Sequence, residues 1–513
     1  MATEYTHIIN GKVVTSSQKI DVINPATQQK IAEVPVATQE QLDEAVAAAR
    51  AALPEWSAKS ADDRAQVLNQ IADIIQKNAA EYQNLLTSEQ GKPLKSAQRE
   101  VGGAILWLRE TAKLRVPDKL LVDNEQQRVI ERRVPIGVVS SFRRHWSRVT
   151  YKYYILPTVQ NFPLNLCIWK MAPALLAGNT LILKPSPFTP LTTLKFIKDI
   201  QPVVPPGVVN VLSGDDGLGP LITSHPNIDK VSFTGSSETG KKVMQSASTG
   251  LKRLTLELGG NDPCIILPDV NPKKIVPDIF WAALTNSGQT CSSPVSCSNH
   301  FVLLNHRIGM NTGAAAKRLY VHEQIYDEFR DALVEFTKAV KVGNGTDPDS
   351  QLGPVQNLNQ YKKVLSFFED AHANGYKFAV GGDVNPNPTN GLFVPVSFVD
   401  NPPEDSKIVQ EEPFGPIVPL LKWSDEKDVI KRANDTTLGL SATVWGKDLG
   451  AVERIAKQIQ SGSVCMNEFN PATPFYAFGG HKQSGIGVEN GLNGLLAYSN
   501  IQTITLKKQT AFT

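Results

Sequence analysis

Three short apolar runs, each broken by a proline or glycine cluster and followed by a helical pattern, constrain the fold of this chain most tightly. Thr180-Leu181-Ile182-Leu183 runs into Lys184-Pro185-Ser186-Pro187 and a helical stretch from about Leu191. Val208-Val209-Asn210-Val211-Leu212 stops at Ser213-Gly214. Lys230-Val231-Ser232-Phe233 stops at Thr234-Gly235-Ser236-Ser237-Glu238-Thr239-Gly240, before a helix through Val243 and Met244. Strands alternating with helices predict an α/β architecture built on a doubly wound parallel sheet. Such sheets bind ligands beyond the C-terminal ends of their strands, which is where the 235–240 loop falls.

The rest of the chain narrows the class. At 513 residues it exceeds one compact core, so two or three domains are expected. With 41% hydrophobic and 20% charged residues and a formal charge of +2, it shows no bias towards nucleic acid or an anionic membrane. No apolar run reaches the length of a membrane span, and Met1-Ala2-Thr3-Glu4-Tyr5 lacks the regions of a signal peptide, so a cytoplasmic location is expected. Five cysteines, Cys167, Cys264, Cys291, Cys297 and Cys465, do not make a disulfide framework. Cys291 and Cys297 have no second ligand pair at zinc spacing, so no metal site is expected.

Residues 8–14, with Asn10-Gly11 at the turn, read as a hairpin. Thr38 and Gln41 make a capping box for a helix whose apolar face is Leu42, Ala45, Val46 and Ala49. Ser60 opens another, with Val67, Leu68, Ile71, Ile74 and Ile75 on one side. Strand patterns at 128–141 and 501–506 suit either an arm that pairs with another subunit or an ordinary edge hairpin.

Three features carry chemistry. Asn286-Ser287-Gly288-Gln289-Thr290-Cys291 places a thiol directly after a small-residue turn. That suits a nucleophile, which needs nearby donors and an open face, and is also compatible with a buried structural cysteine. The loop between Gly235 and Gly240 opens a helix, whose free N–H groups suit phosphate oxygens. It matches neither Gly-x-Gly-x-x-Gly nor a Gly-Lys-Ser/Thr ending, so a simple tight turn stays open as a reading. Glu257-Leu258-Gly259-Gly260 puts a carboxylate at a strand end, 34 residues before Cys291.

With these motifs in this order and spacing, the chain resembles the NAD(P)-dependent, hydrolytic aldehyde dehydrogenases. Matching segments extend from Glu89-Gln90-Gly91-Lys92-Pro93-Leu94 to Phe478-Gly479-Gly480-His481-Lys482-Gln483-Ser484-Gly485. The resemblance implies a Rossmann-type cofactor domain (7–127 and 148–257), an α/β catalytic domain (258–494) bearing Cys291, and bridging strands (128–147 and 495–508). It also implies a homodimer or homotetramer. Cys291 becomes the nucleophile that forms a thiohemiacetal with a small-molecule aldehyde. Asn161, in Asn161-Phe162-Pro163-Leu164, becomes the side-chain donor that helps the Cys291 N–H hold the oxyanion. Glu257 becomes the base that activates water for hydrolysis of the acyl-enzyme, and its presence favours a free acid over a coenzyme A ester. On the cofactor side the resemblance implicates Lys184 and Ser186 near the adenosine ribose, and Gly235, Ser236 and Gly240 at the pyrophosphate. Glu412 and Phe414, in Glu411-Glu412-Pro413-Phe414-Gly415-Pro416, fall at the nicotinamide ribose and ring. Phe162, Trp169, Cys465 and Phe469 are substrate-funnel candidates, with Lys170 near a proton path.

The chain departs from the family pattern in three places. Pro187 stands where NAD-preferring members commonly carry a glutamate that bonds the ribose hydroxyls, so a 2′-phosphate would meet no negative charge. NAD is favoured, and NADP remains compatible. About fifteen residues, 147–160, stand between the Gly137-Val138-Val139 strand and Asn161 in excess of the family spacing. A further 22, 292–313, follow Cys291; without them Ala314-Ala315-Ala316-Lys317-Arg318 brings an arginine to the fifth position after the cysteine, as the family has it. Both segments abut the two oxyanion donors. They read as retained introns or as real loops, and the alternative function is an impaired or inactive relative.

Overall fold

The computed structural model describes residues 4–142, 161–291, 316–469 and 472–508. The segments 147–160 and 292–313 lie outside them. The N-terminal helices begin where their caps dictate. Thr38 and Gln41 exchange side-chain and backbone bonds to open Gln39–Ala58, which buries Leu42, Ala45, Val46 and Ala49. Ser60 does the same with Asp63 for Ala61–Lys77, burying Leu68, Ile71 and Ile75, while Val67 and Ile74 are only partly buried.

The apolar runs form an eight-stranded sheet. Val138–Phe142 lies between Thr180–Lys184 on one side and Lys230–Thr234 on the other, all parallel. Val209–Val211 continues one flank and Arg253–Glu257 the other. The hairpin His7–Ile9 and Lys12–Val14 adds antiparallel beyond Val209–Val211, and Gly485–Ile486 pairs antiparallel with Leu256 and Glu257. Strand order reverses between Val138–Phe142 and Lys230–Thr234, so Gly235 stands at the switch point where such sheets open a crevice.

A second, seven-stranded sheet is parallel except for its edge strand Phe378–Val380. Between its neighbouring strands Pro263–Ile266 and Arg318–His322 the chain passes through the helix Pro272–Leu284 and the Cys291 turn. Among the described residues, no helix is long and apolar enough to cross a membrane.

A third sheet has three strands. Gln127–Pro135 pairs antiparallel with Ser499–Lys507 along its whole length, and with Lys119–Asp123 on the other side. The sequence assigned 128–147 to this arm as a unit, but Val138–Phe142 belongs to the eight-stranded sheet instead. The reason is local. Gly137 has φ 137°, and a Cβ there would stand 2.1 Å from the Asp229 carboxylate. That carboxylate takes the Val138 N–H at 2.7 Å, so the glycine turns the chain out of one sheet and into the other.

Candidate active site

The cysteine turn is bent by its own backbone. Asn286 and Ser287 have φ of 54° and 57°, and Gly288 has φ 71°. Such left-handed residues persist only where surroundings hold them. Here Ser287 Oγ donates to the Gly353 carbonyl at 2.7 Å, Gln289 Nε2 donates to Pro354 at 3.2 Å, and Gln289 Oε1 takes the Gln356 N–H at 2.9 Å. Asn286 Nδ2 donates to the Asn161 carbonyl at 3.3 Å, which ties the cysteine turn to the Asn161 loop. A Cβ on Gly288 would fall 2.2 Å from the Gly415 carbonyl, so only glycine lets these two backbones meet.

Asn161 precedes the helix Pro163–Leu176 and is 1% exposed. Its Oδ1 takes the Phe162 N–H at 3.1 Å, while its Nδ2 has no hydrogen-bond partner among the described residues. A buried amide donor left unpaired is costly unless something arrives to accept from it. Its loop is pinned from a distant helix. Lys92 Nζ donates to the Asn161 carbonyl and to Glu100 Oε2, both at 2.6 Å, and lies 4.0 Å from the centre of the Phe162 ring. Glu100 Oε1 in turn takes the Leu164 N–H at 2.9 Å.

Glu257 ends its strand with both carboxylate oxygens buried and without a hydrogen-bond partner among the described residues. Burial pushes its pKa well above the ordinary value; the negative charge of Glu489 adds to this, and Lys170 opposes it. Lys170 is itself ion-paired to Glu489, a buried pair on which Ser232 and then Tyr498 also converge.

A cavity of about 240 Å³ is lined by Cys291 together with Gly235, Ser236, Gly259, Glu412 and Phe414, among others. Ser236 is the N-cap of Ser237–Ala247, accepting the Thr239 N–H at 3.2 Å, and the start of that helix lines the cavity. Gly235 admits no side chain, since a Cβ would stand 2.4 Å from the Phe233 ring. Glu412 Oε1 is buried without a partner. Its loop is clamped by the helix Leu358–Ala373: Lys363 Nζ donates to the Glu412 carbonyl at 2.6 Å, and Gln360 Nε2 donates to the Pro413 and Phe414 carbonyls at 2.9 Å each. Phe414 itself has φ 51°. An open helix start, a side-chain-free approach at Gly235 and an orphaned carboxylate oxygen in one cavity are features that fit a dinucleotide.

The other expected residues lie elsewhere. Gly240 is inside the helix, where the missing side chain makes room for Leu258, and it does not line the cavity. Lys184 ends its strand, buried, and lines a separate cavity of about 20 Å³ with Pro163, Cys167 and Thr193. Ser186 is buried and accepts the Phe188 N–H at 3.3 Å. Phe162 and Trp169 pack in the same apolar cluster as Cys291 and Phe414, with Trp169 stacked 5.2 Å from Trp107. Cys465 is buried in the strand Ser463–Met466, and burial pushes its thiol up to about 12. Phe469 packs 5.0 Å from Trp445 in a different cluster. The reading of the sequence gave no role to Lys92, Glu100, Lys317, Gln360, Lys363 or Glu489, whose partners are distant in the chain.

A family model described as the aldehyde dehydrogenase family matches residues 13–302 and 311–504. The protein named aldehyde dehydrogenase LUC3, from Fusarium sp, is 37% identical over 510 residues, covering 99% of each chain. Retinaldehyde dehydrogenase 3 from Rattus norvegicus is 36% identical, covering 96% of this chain and 90% of its own. Among solved structures, an NAD+ complex of aldehyde dehydrogenase from Bacillus cereus superposes with a TM-score of 0.88 at 31% identity, covering 99% of this chain and 97% of that one.

Proposed function

The chain belongs to the aldehyde dehydrogenase family, and from that premise we propose that it oxidises a small-molecule aldehyde to the carboxylic acid. The acceptor is NAD or NADP, and water supplies the second oxygen. One observation carries the reading: Cys291 opens into the same cavity as the Ser236 helix start, Glu412 and Phe414.

In this reading the Cys291 thiolate adds to the aldehyde carbonyl, and the oxygen becomes an alkoxide. Asn161 Nδ2 is the side-chain donor for that oxygen, in keeping with its unpaired state in a buried site. One such donor contributes about 3 kcal/mol to the barrier. A bound nicotinamide supplies the hydride acceptor, held by Glu412 and Phe414. Glu257 then takes a proton from water as the hydroxide adds to the thioester carbon. The carbon–sulfur bond breaks, the acid leaves, and the Cys291 thiol is restored. Net, one aldehyde, one oxidised cofactor and one water give an acid, a reduced cofactor and a proton. A carboxylate with no hydrogen-bond donor among the described residues, and with its proton affinity raised by burial, suits that base role.

NAD is the favoured cofactor, and Pro187 offers no charge to repel NADP. The exposed Ile501, Ile504 and Leu506 on the edge strand Ser499–Lys507, and Leu120 and Leu121 on the opposite edge strand Lys119–Asp123, support a homodimer or homotetramer that covers this arm. The function is tested with Cys291→Ala. It is expected to bind cofactor yet form no reduced cofactor with any of a panel of aldehydes; turnover equal to the unaltered enzyme overturns the reading.

A further inference from the structure

Lys317 has a buried amino group that the steps above do not use. Its residue is 3% exposed and stands just before the strand Arg318–His322. The backbone N–H is anchored to the Asp262 carbonyl at 2.9 Å. The side chain turns into the site: Nζ donates to the Gly288 carbonyl at 2.5 Å, inside the turn that ends in Cys291. It also lies 5.6 Å from the centre of the Phe414 ring. The ammonium therefore sits between the nucleophile's turn and the loop that carries Glu412.

Burial lowers the Lys317 pKa, and the negative charges of Glu412, Asp262 and Cys291, the titratable groups facing it, oppose that loss of the proton. Lys363 is the other ammonium within range, and it repels Lys317. An ammonium out of water costs far more than an apolar side chain of the same length, so a methionine would suit a purely structural position better. A charge kept there calls for a partner anion. Cys291 is the one group in that set whose ionisation the reaction requires.

We propose that Lys317 is a positioning residue for the reaction: it holds the cysteine turn through Gly288 and supplies the positive charge against which Cys291 ionises. The proposal rests on Cys291 being the nucleophile. The thiol proton leaves to solvent, and the resulting thiolate gains an opposing charge while Gly288 keeps its bond. Thiols beside a lysine ionise below the ordinary value of about 8.5. The positive φ at Asn286, Ser287 and Gly288 gives the hydrogen bond its second use, because a turn of that shape needs an external hold.

The test is the pH dependence of Cys291 alkylation by iodoacetamide, with the labelled cysteine located by mass spectrometry, in the full-length protein. Lys317→Met is expected to raise the inflection by about one pH unit or more, and Lys317→Arg to restore most of that shift. Lys317→Gln keeps a donor for Gly288 without the charge, and is expected to behave as Lys317→Met does if the latter fails to fold. An inflection unchanged in both neutral variants overturns the role of Lys317. If alkylation of Cys291 in the unaltered protein leaves turnover intact, the nucleophile reading fails first and the role of Lys317 falls with it.

Discussion

The buried ammonium of Lys92 donates to the carbonyl oxygen of Asn161 at 2.6 Å, across 69 residues of chain. The same ammonium pairs with Glu100 at 2.6 Å, and both side chains are almost wholly out of water. The Asn161 loop is thus tied to the buried Lys92–Glu100 pair, whose carboxylate belongs to the helix Leu94–Ala112.

Removing that charge leaves Glu100 buried and unpaired. Lys92→Met is expected to lower stability by about 3–5 kcal/mol, the usual cost of breaking a buried pair from one side. It is also expected to lower kcat, since Asn161 loses its support. The guanidinium unfolding midpoint reads the first effect and steady-state kinetics the second; an unchanged midpoint would remove the ion pair from this account.

Glu257→Gln separates the two halves of the reaction. Formation of reduced cofactor in the first turnover is expected to persist, while steady-state turnover falls about 10²–10⁴-fold for want of a base. Because burial and Glu489 raise the Glu257 pKa, the carboxylate ionises above its ordinary range, and hydrolysis is expected to rise with pH through that raised value. The limb should vanish in the glutamine variant. The linked stability runs the other way. Folded Glu257 keeps a proton that the unfolded chain releases above about 4.5, so its contribution to stability falls as pH rises from there. Rapid-mixing absorbance and a pH–rate profile check both statements.

Pro187→Glu introduces the missing charge next to the expected adenosine ribose. A carboxylate near a 2′-phosphate repels it by about 1 kcal/mol or more. That corresponds to a fall of at least about fivefold in kcat/KM for NADP relative to NAD. Paired kinetics with the two cofactors decide it, and an unchanged ratio separates Pro187 from cofactor choice.

Deleting 292–313 puts Arg318 at the fifth position after Cys291. The family match itself stops at 302 and resumes at 311, inside that segment. In the proposed mechanism the Cys291 N–H is an oxyanion donor, and a misplacement of about 1 Å there costs on the order of a hundredfold in rate. The shortened chain is expected to turn over faster by a factor of that order. Equal turnover of both forms marks the segment as a genuine part of the enzyme, and sequencing of the mature transcript shows whether it is a retained intron.

Much of the fold was legible because its signals are local. The capping boxes at Thr38 and Ser60, the Asn10-Gly11 hairpin and the three parallel strands are all written within a few residues of each other. The arm boundary was not, because the turn at Gly137 depends on Asp229, far along the chain. At the site, the cysteine turn, the Ser236 helix start and the strand-end carboxylate were readable from spacing and residue type. Lys92, Lys317 and Glu489 were not, since a lone charge in an apolar context carries no sign of what it will meet. Gly240, read with the phosphate loop, lies inside the helix, where its missing side chain also lets Leu258 pack.

The pairing of Gly485–Ile486 with Leu256 and Glu257 has a consequence for biosynthesis. The strand ending in Glu257 is made long before its neighbour, and Glu489 follows the neighbour by only a few residues. During translation Glu257 therefore starts as an ordinary solvated glutamate at an open sheet edge. In the folded protein burial raises its proton affinity and the charge of Glu489 adds to this, so the full rise is expected once the 485–489 segment has left the ribosome and docked. If Glu257 is the hydrolytic base proposed above, its setting is expected to be completed by a segment synthesised more than two hundred residues later.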